Sequence, residues 1–166
     1  MAAAVELVNS AQEPDTLTEI AQLDAFFDRQ RYTGLHERTA AELRDVRDVR
    51  APLRRLLTAD RDTAVMIVND MLAEHRAIPR LIRHDELDYH IHATSDDAPL
   101  AVRLVVETAV AMIDLIRADE LSRLSICADE SCEGIVLDLS RNRSRIYCSV
   151  ACGNRNAAAA YRARKR

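Results

Sequence analysis

Apolar positions recur three and four residues apart over much of the chain, the spacing that lines one face of a helix. Leu17, Ile20, Leu23 and Phe27 form one such stripe, opened by Thr16 and Glu19 at capping-box spacing and ending near Gly34. A second box, Thr39 with Glu42, precedes Leu43, Val46, Arg50, Leu53 and Leu57. Pro52 falls inside that pattern, where it removes a backbone donor and crowds the turn before it, so the helix is expected to kink or restart there. A third helix is predicted over residues 62–76, burying Val65, Ile67, Val68, Met71 and Leu72.

After Pro79 the period changes. Leu87, Tyr89, Ile91 and Ala93 alternate with Asp88, His90 and His92, which reads as a small β-hairpin turning near His84, Asp85 and Glu86. Its alternate histidines are expected on a solvated face, with half a metal site as the alternative. Residues 95–116, SDDAPLAVRLVVETAVAMIDLI, begin with capping residues and a proline and stay apolar long enough to favour a central buried helix over a strand. At the start of the chain, Val5 and Leu7 flank Glu6, a pattern that fits a short strand or a buried lead-in. The expected fold is mostly α: a multi-helical N-terminal domain with a small β-hairpin over residues 1–122, and a C-terminal module over residues 123–166.

Composition sharpens this picture at two points. Hydrophobic residues make up 48% of the chain, yet Trp is absent and only Phe26, Phe27, Tyr32, Tyr89, Tyr147 and Tyr161 are aromatic, so aliphatic side chains must fill the core. The net charge of -4 is unevenly distributed: residues 127–166 hold eight Arg/Lys against four Asp/Glu, leaving fifteen against twenty-three before them. No acid follows Asp138. A basic end on an acidic body points to a polyanion partner, nucleic acid ahead of membrane, because no amphipathic run rich in large apolar residues accompanies the charge. No apolar run approaches membrane-span length and the first residues do not read as a signal peptide, so the chain is expected in the cytoplasm. Three glycines, Gly34, Gly134 and Gly153, leave no phosphate-binding glycine loop, and no paired acid and base stand out, so no enzymatic activity is expected.

All four cysteines lie in the last 40 residues, as Cys127-x4-Cys132-x15-Cys148-x3-Cys152. Two short pairs joined by a loop are what a tetrahedral zinc site needs, each pair gripping one edge of the ion. In a reducing compartment such a cluster reads as metal ligands ahead of a redox thiol pair or disulfides. Between the pairs, Ile135, Leu137 and Leu139 alternate, Ser140 to Ser144 form a polar turn and Ile146–Tyr147 resume an apolar strand, so a hairpin is expected to connect them. Ser149 is the expected N-cap of a final helix containing Ala157 to Ala160, with Cys152 in its first turn. A knuckle, a hairpin and a helix that completes the site make a treble-clef-like four-cysteine zinc finger. Four protein thiolates leave no position for water or substrate, so the zinc is structural.

The segment CADESCEGIVLDLSRNRSRIYCSVACGNR resembles the CGNR zinc-finger proteins, whose name-giving tetrapeptide stands here as Cys152-Gly153-Asn154-Arg155, preceded by Asp138-Leu-Ser140-Arg141-Asn142. The first part of the chain, with Val8-Asn9-Ser10 near its start, is similar to the ABATE domain that precedes this finger, described as a stress-induced transcription regulator. The chain departs from the family at Val136, at Ile146–Tyr147, and after the tetrapeptide, where Asn156 and four alanines replace basic residues. The resemblance implies a bacterial transcription regulator that binds DNA, with RNA as a variant. Arg141, Arg143 and Arg145 at the hairpin tip, and Arg155, Arg162 and Arg166 along the helix, are the candidate nucleic-acid contacts. The N-terminal unit is expected to serve as a sensor or a dimerisation unit, which leaves a homodimer and a bound small molecule open as partners. The competing reading is a zinc-stabilised protein-interaction adaptor whose basic end docks on an acidic partner or on its own body.

Overall fold

Residues 1–83 and 88–165 are described by the structure, a computed structural model. Among them are seven α-helices: α1 (Ala2–Asn9), α2 (Ile20–Arg29), α3 (Ala40–Asp48), α4 (Arg50–Leu57), α5 (Arg61–Glu74), α6 (Leu100–Arg117) and α7 (Val150–Arg164). Two antiparallel hairpins complete the fold, β1 (Arg80–Ile82) with β2 (His90–His92) and β3 (Leu124–Ile126) with β4 (Ile135–Leu137).

The long apolar segment forms α6, the centre of the core. Leu100, Leu104, Val105, Ala109 and Met112 are buried along it, and α5 and α3 pack against it. Arg103 is also buried there. It donates to the carbonyls of Ala98, Thr33 and Leu35, so its guanidinium tethers the loop after α2 to the start of α6. Pro52 lies in the first turn of α4, separated from α3 by Val49, so the chain restarts its helix there, one of the two outcomes expected of the proline.

Thr39 caps α3 as expected, its hydroxyl accepting from Glu42 N, but the second box is only half formed, because the Glu42 side chain turns to the residues before the cap. The Glu42 carboxylate, itself buried, accepts from Glu37 N and Arg38 N and meets His36 Nδ1 at 2.8 Å, while His36 Nε2 meets Asp24 at 2.7 Å. The imidazole stacks on Phe27 and thereby ties α2 to α3.

Several expectations are corrected. α1 is a helix, not a strand, because Ala4, Val5, Leu7 and Val8 bury its face against α4 and β4. The first box is Glu19 with Gln22, three residues beyond Thr16, and α2 ends at Arg29, five residues short of Gly34. Gly34 instead occupies a left-handed turn at φ +79, where a Cβ would lie 2.5 Å from Asp96 O. On α5 the buried positions are Ala64, Val68 and Met71, and Val65 faces solvent. The first hairpin presents Leu81, Tyr89 and Ile91 to solvent, whereas His90 and His92 lie half-buried with their Nε2 atoms 2.9 Å apart. The turn expected near His84, Asp85 and Glu86, and Leu87 beside it, fall outside the described residues.

Glu107 lies within α6, half-buried, with Tyr32, Arg103, the Met1 amino group and Asp96 around its carboxyl. Burial pushes its pKa up, against the pull of Arg103. A carboxyl raised on folding favours the folded state while it is protonated, and that contribution is lost as pH rises above the ordinary carboxylate range. Glu107→Gln is therefore expected to raise stability at neutral pH and to flatten its decline with rising pH, measured as urea midpoints across a pH series.

Candidate metal centre and basic helix

Strand β4 is buried on both sides. Ile135 and Leu137 join the helical core, and Val136 packs on the opposite face with Cys127 and Cys152. The Asn9 side chain extends this strand from α1 in the manner of a β-bridge: Ile135 N donates to Asn9 Oδ1 at 2.7 Å and Asn9 Nδ2 donates to Ile135 O at 2.8 Å. Asn9 thus pins the finger to the first helix.

The loop between β3 and β4 carries Cys127 and Cys132, so the first cysteine pair sits on a knuckle closed by the hairpin. Cys127 N donates to Gly134 O at 2.8 Å and Cys132 N to Asp129 O at 2.8 Å. The hairpin expected between the cysteine pairs is corrected: β4 pairs backwards with β3, and residues 138–149 form a loop in which Ile146 only accepts from Ala128 N. Asp138 organises this loop, accepting from Ser140 N and Arg145 N at 2.8 Å each, and Arg123 clamps it through the carbonyls of Asp138 and Ser140. As expected, Ser149 caps α7, accepting from Cys152 N, and Cys152 lies in the first turn.

The four Sγ atoms gather within 4.8 Å of one another, with Cys148 3.5 Å from Cys132 and 3.7 Å from Cys152. Zinc–sulfur bonds of about 2.3 Å place tetrahedral sulfurs about 3.8 Å apart, so the set has the size of a zinc site. Burial pushes the Cys132 and Cys148 thiols up, while the Ser149 hydroxyl draws Cys152 down. Thiolates in such a place need a divalent cation to offset their charge. Backbone donors already face the sulfurs: Gly134 N lies 3.3 Å from Cys132 Sγ and Cys148 N 3.4 Å from Cys127 Sγ. The finger binds a structural zinc ion through Cys127, Cys132, Cys148 and Cys152. Among the described residues no other group of three or more His, Cys, Asp or Glu gathers in this way.

Gly134 leaves room for the sulfurs. A Cβ at this position would stand 2.7 Å from Cys148 Sγ and 3.3 Å from Cys132 Sγ. Gly134→Ala is expected to weaken zinc binding by at least tenfold in a competitive chelator titration, since the methyl displaces ligand atoms rather than a flexible side-chain end.

The candidate arginines fall into two groups. Arg155 donates to Asp129 at 2.9 and 2.7 Å and to Cys152 Sγ at 3.2 Å, bracing a ligand from outside. Asp129 in turn is held at a pKa of about 2, first by the Ser131 hydroxyl, then by Ser131 N, with Arg155 adding to both. Arg143, at φ +50, bonds Ser122 Oγ and Glu120, and Arg145 donates to the carbonyls of Tyr147 and Cys148. By contrast Arg141 and Arg162 extend into solvent, together with Arg164. Arg166 falls outside the described residues. Arg141, Arg143 and Arg145 sit on the loop after β4 and not on a hairpin tip. Asp129, Arg123 and Asn9 are the structural partners that sequence reasoning did not assign; the Asp129-x-Ser131 turn pattern was the one local signal among them.

A helical domain whose core continues through one strand into a four-cysteine, treble-clef-like zinc finger defines the class of protein. Residues 1–119 match the ABATE family, described as "Putative stress-induced transcription regulator", and the chain belongs to that family. Residues 123–165 match the CGNR zinc finger, as the tetrapeptide implied. No curated protein matches the chain.

Proposed function

We propose that the chain is a DNA-binding transcription regulator in which zinc holds α7 out from the body as a basic recognition element. The observation that carries this reading is the exposure of α7. Only Cys152 is buried along its 15 residues, and its charged side chains, Arg155, Arg162 and Arg164, are all basic. With Arg155 engaged by Asp129, the phosphate contacts fall to Arg162, Arg164 and Lys165, with Arg141 on the neighbouring loop. The N-terminal domain then serves as the regulatory unit, linked to the finger through β4 and Asn9.

Fluorescence anisotropy with a duplex over a salt series tests this. Affinity is expected to fall steeply with salt, and replacing Arg162 and Arg164 with alanine together is expected to reduce the log–log slope by about 2, roughly one for each phosphate no longer neutralised. A slope unchanged in that variant, or no binding at low salt, contradicts the reading. One feature favours the adaptor alternative: Leu139, Ile146 and Val150 are exposed apolar side chains on the finger. Binding that is insensitive to salt and recovered only with a protein partner supports that alternative.

A further inference from the structure

A cleft of about 460 Å³ opens between the helical domain and the finger. Its floor is apolar, formed by Leu17 and Phe26 from one side and Ile135 and Leu137 from the other, with Leu139, 72% exposed, at the edge. Cys148, a zinc ligand, also lines it. The volume falls within the range that holds small-molecule ligands.

Its polar groups restrict the occupant. Glu6 on the wall is paired with Arg29, which donates through Nε at 3.0 Å, and also accepts from Gln30. Gln22 uses its Oε1 as an acceptor for Thr18 and Glu19. Arg145 uses Nε and Nη2 on main-chain carbonyls. Among the described residues, Gln22 Nε2 and Arg145 Nη1 have no protein acceptor, and the Thr16 hydroxyl on the same wall can donate as well as accept, so the unused groups of the wall can all donate. They call for acceptor atoms on the ligand. A strong anion is disfavoured, because zinc with four thiolates carries a formal charge of about -2 beside the cleft.

We infer that this cleft is a small-molecule site, occupied by a neutral, largely apolar compound with carbonyl oxygen at one end, and that its occupancy stiffens the finger against zinc loss. The coupling follows from position. An occupant touches α1, α2, β4 and the Cys148 loop together, so it binds best to the arrangement in which zinc is held, and by linkage it favours that arrangement. This inference is independent of what α7 binds.

The probe is prodan, a neutral naphthalene bearing an acyl carbonyl, whose emission shifts to the blue on leaving water; anilinonaphthalene sulfonate is its anionic counterpart. With the zinc-loaded full chain, prodan is expected to give a saturable blue shift and to slow zinc transfer to a colorimetric chelator at least twofold, and the sulfonate to give no saturable signal. Leu139→Asp, at an exposed position, puts a carboxylate at the edge of the cleft and is expected to weaken prodan at least tenfold with zinc content unchanged. Ala2→Trp, also exposed, fills the opposite wall and is expected to do the same. The inference is overturned by a non-saturable shift, by prodan affinity unchanged in both variants, by equal or tighter binding of the sulfonate, or by a zinc-transfer rate indifferent to saturating prodan.

Discussion

Cys152→Ser is expected to abolish zinc binding and to unfold α7 with the loops around it, while the helical core keeps a cooperative transition. The buried Cys152 sulfur is one of four ligands, and apparent zinc binding in such modules amounts to about 10–16 kcal/mol at neutral pH. Nothing else in α7 replaces that energy. It buries no residue but Cys152, and a lone helix of this length is marginal in water. The core around α6 draws on Leu53, Leu56, Leu100, Leu104 and Met112, none of which touches the metal site, so it survives with weaker support from Ile135 and Leu137. Metal analysis by plasma mass spectrometry should read one zinc per wild-type chain and none in the variant, and far-UV circular dichroism should lose the signal of one helix.

Asn9→Ala is expected to cost about 2–4 kcal/mol, because the loss leaves both the N–H and the carbonyl of buried Ile135 without partners, at about 1–3 kcal/mol per orphaned group, relieved in part by water at this half-buried edge. The effect should reach further than stability. With the amide clamp gone, β4 is held to α1 by packing alone, and hydrogen exchange in residues 124–137 should quicken relative to α6. Urea unfolding with exchange mass spectrometry reads both. Asn9→Asp, which keeps the acceptor for Ile135 N but loses the donor, should not restore the clamp.

The metal site was legible because a tetrahedral ion imposes its geometry on local spacing: two close pairs and a capped helix suffice to place all four ligands. The central helix was legible from length and periodicity alone. α1 was not, since Val5-Glu6-Leu7 satisfies both periods in so short a run, and burial against α4 and β4 decided the matter. Thr16 and Glu19 met the capping rule as well as Glu19 and Gln22 do, and the box nearer the apolar run prevailed. The finger hairpin differs from the expected one because Leu124 to Ile126 read as a lead-in, whereas they pair with Ile135 to Leu137 across the knuckle, closed by Cys127 N donating to Gly134 O. The arginines illustrate the general limit. Arg155 meets Asp129 from 26 residues away and Arg143 meets Glu120 from 23, so only the fold separates guanidinium groups that brace the finger from those that face outward.

The most direct test follows a chelator titrated into the complex of zinc-loaded chain and labelled duplex, recording anisotropy and released zinc together. Release of the duplex in step with one zinc per chain is the predicted result. A duplex that stays bound after the metal has left, or a chain that never engages the duplex at low salt, contradicts the account.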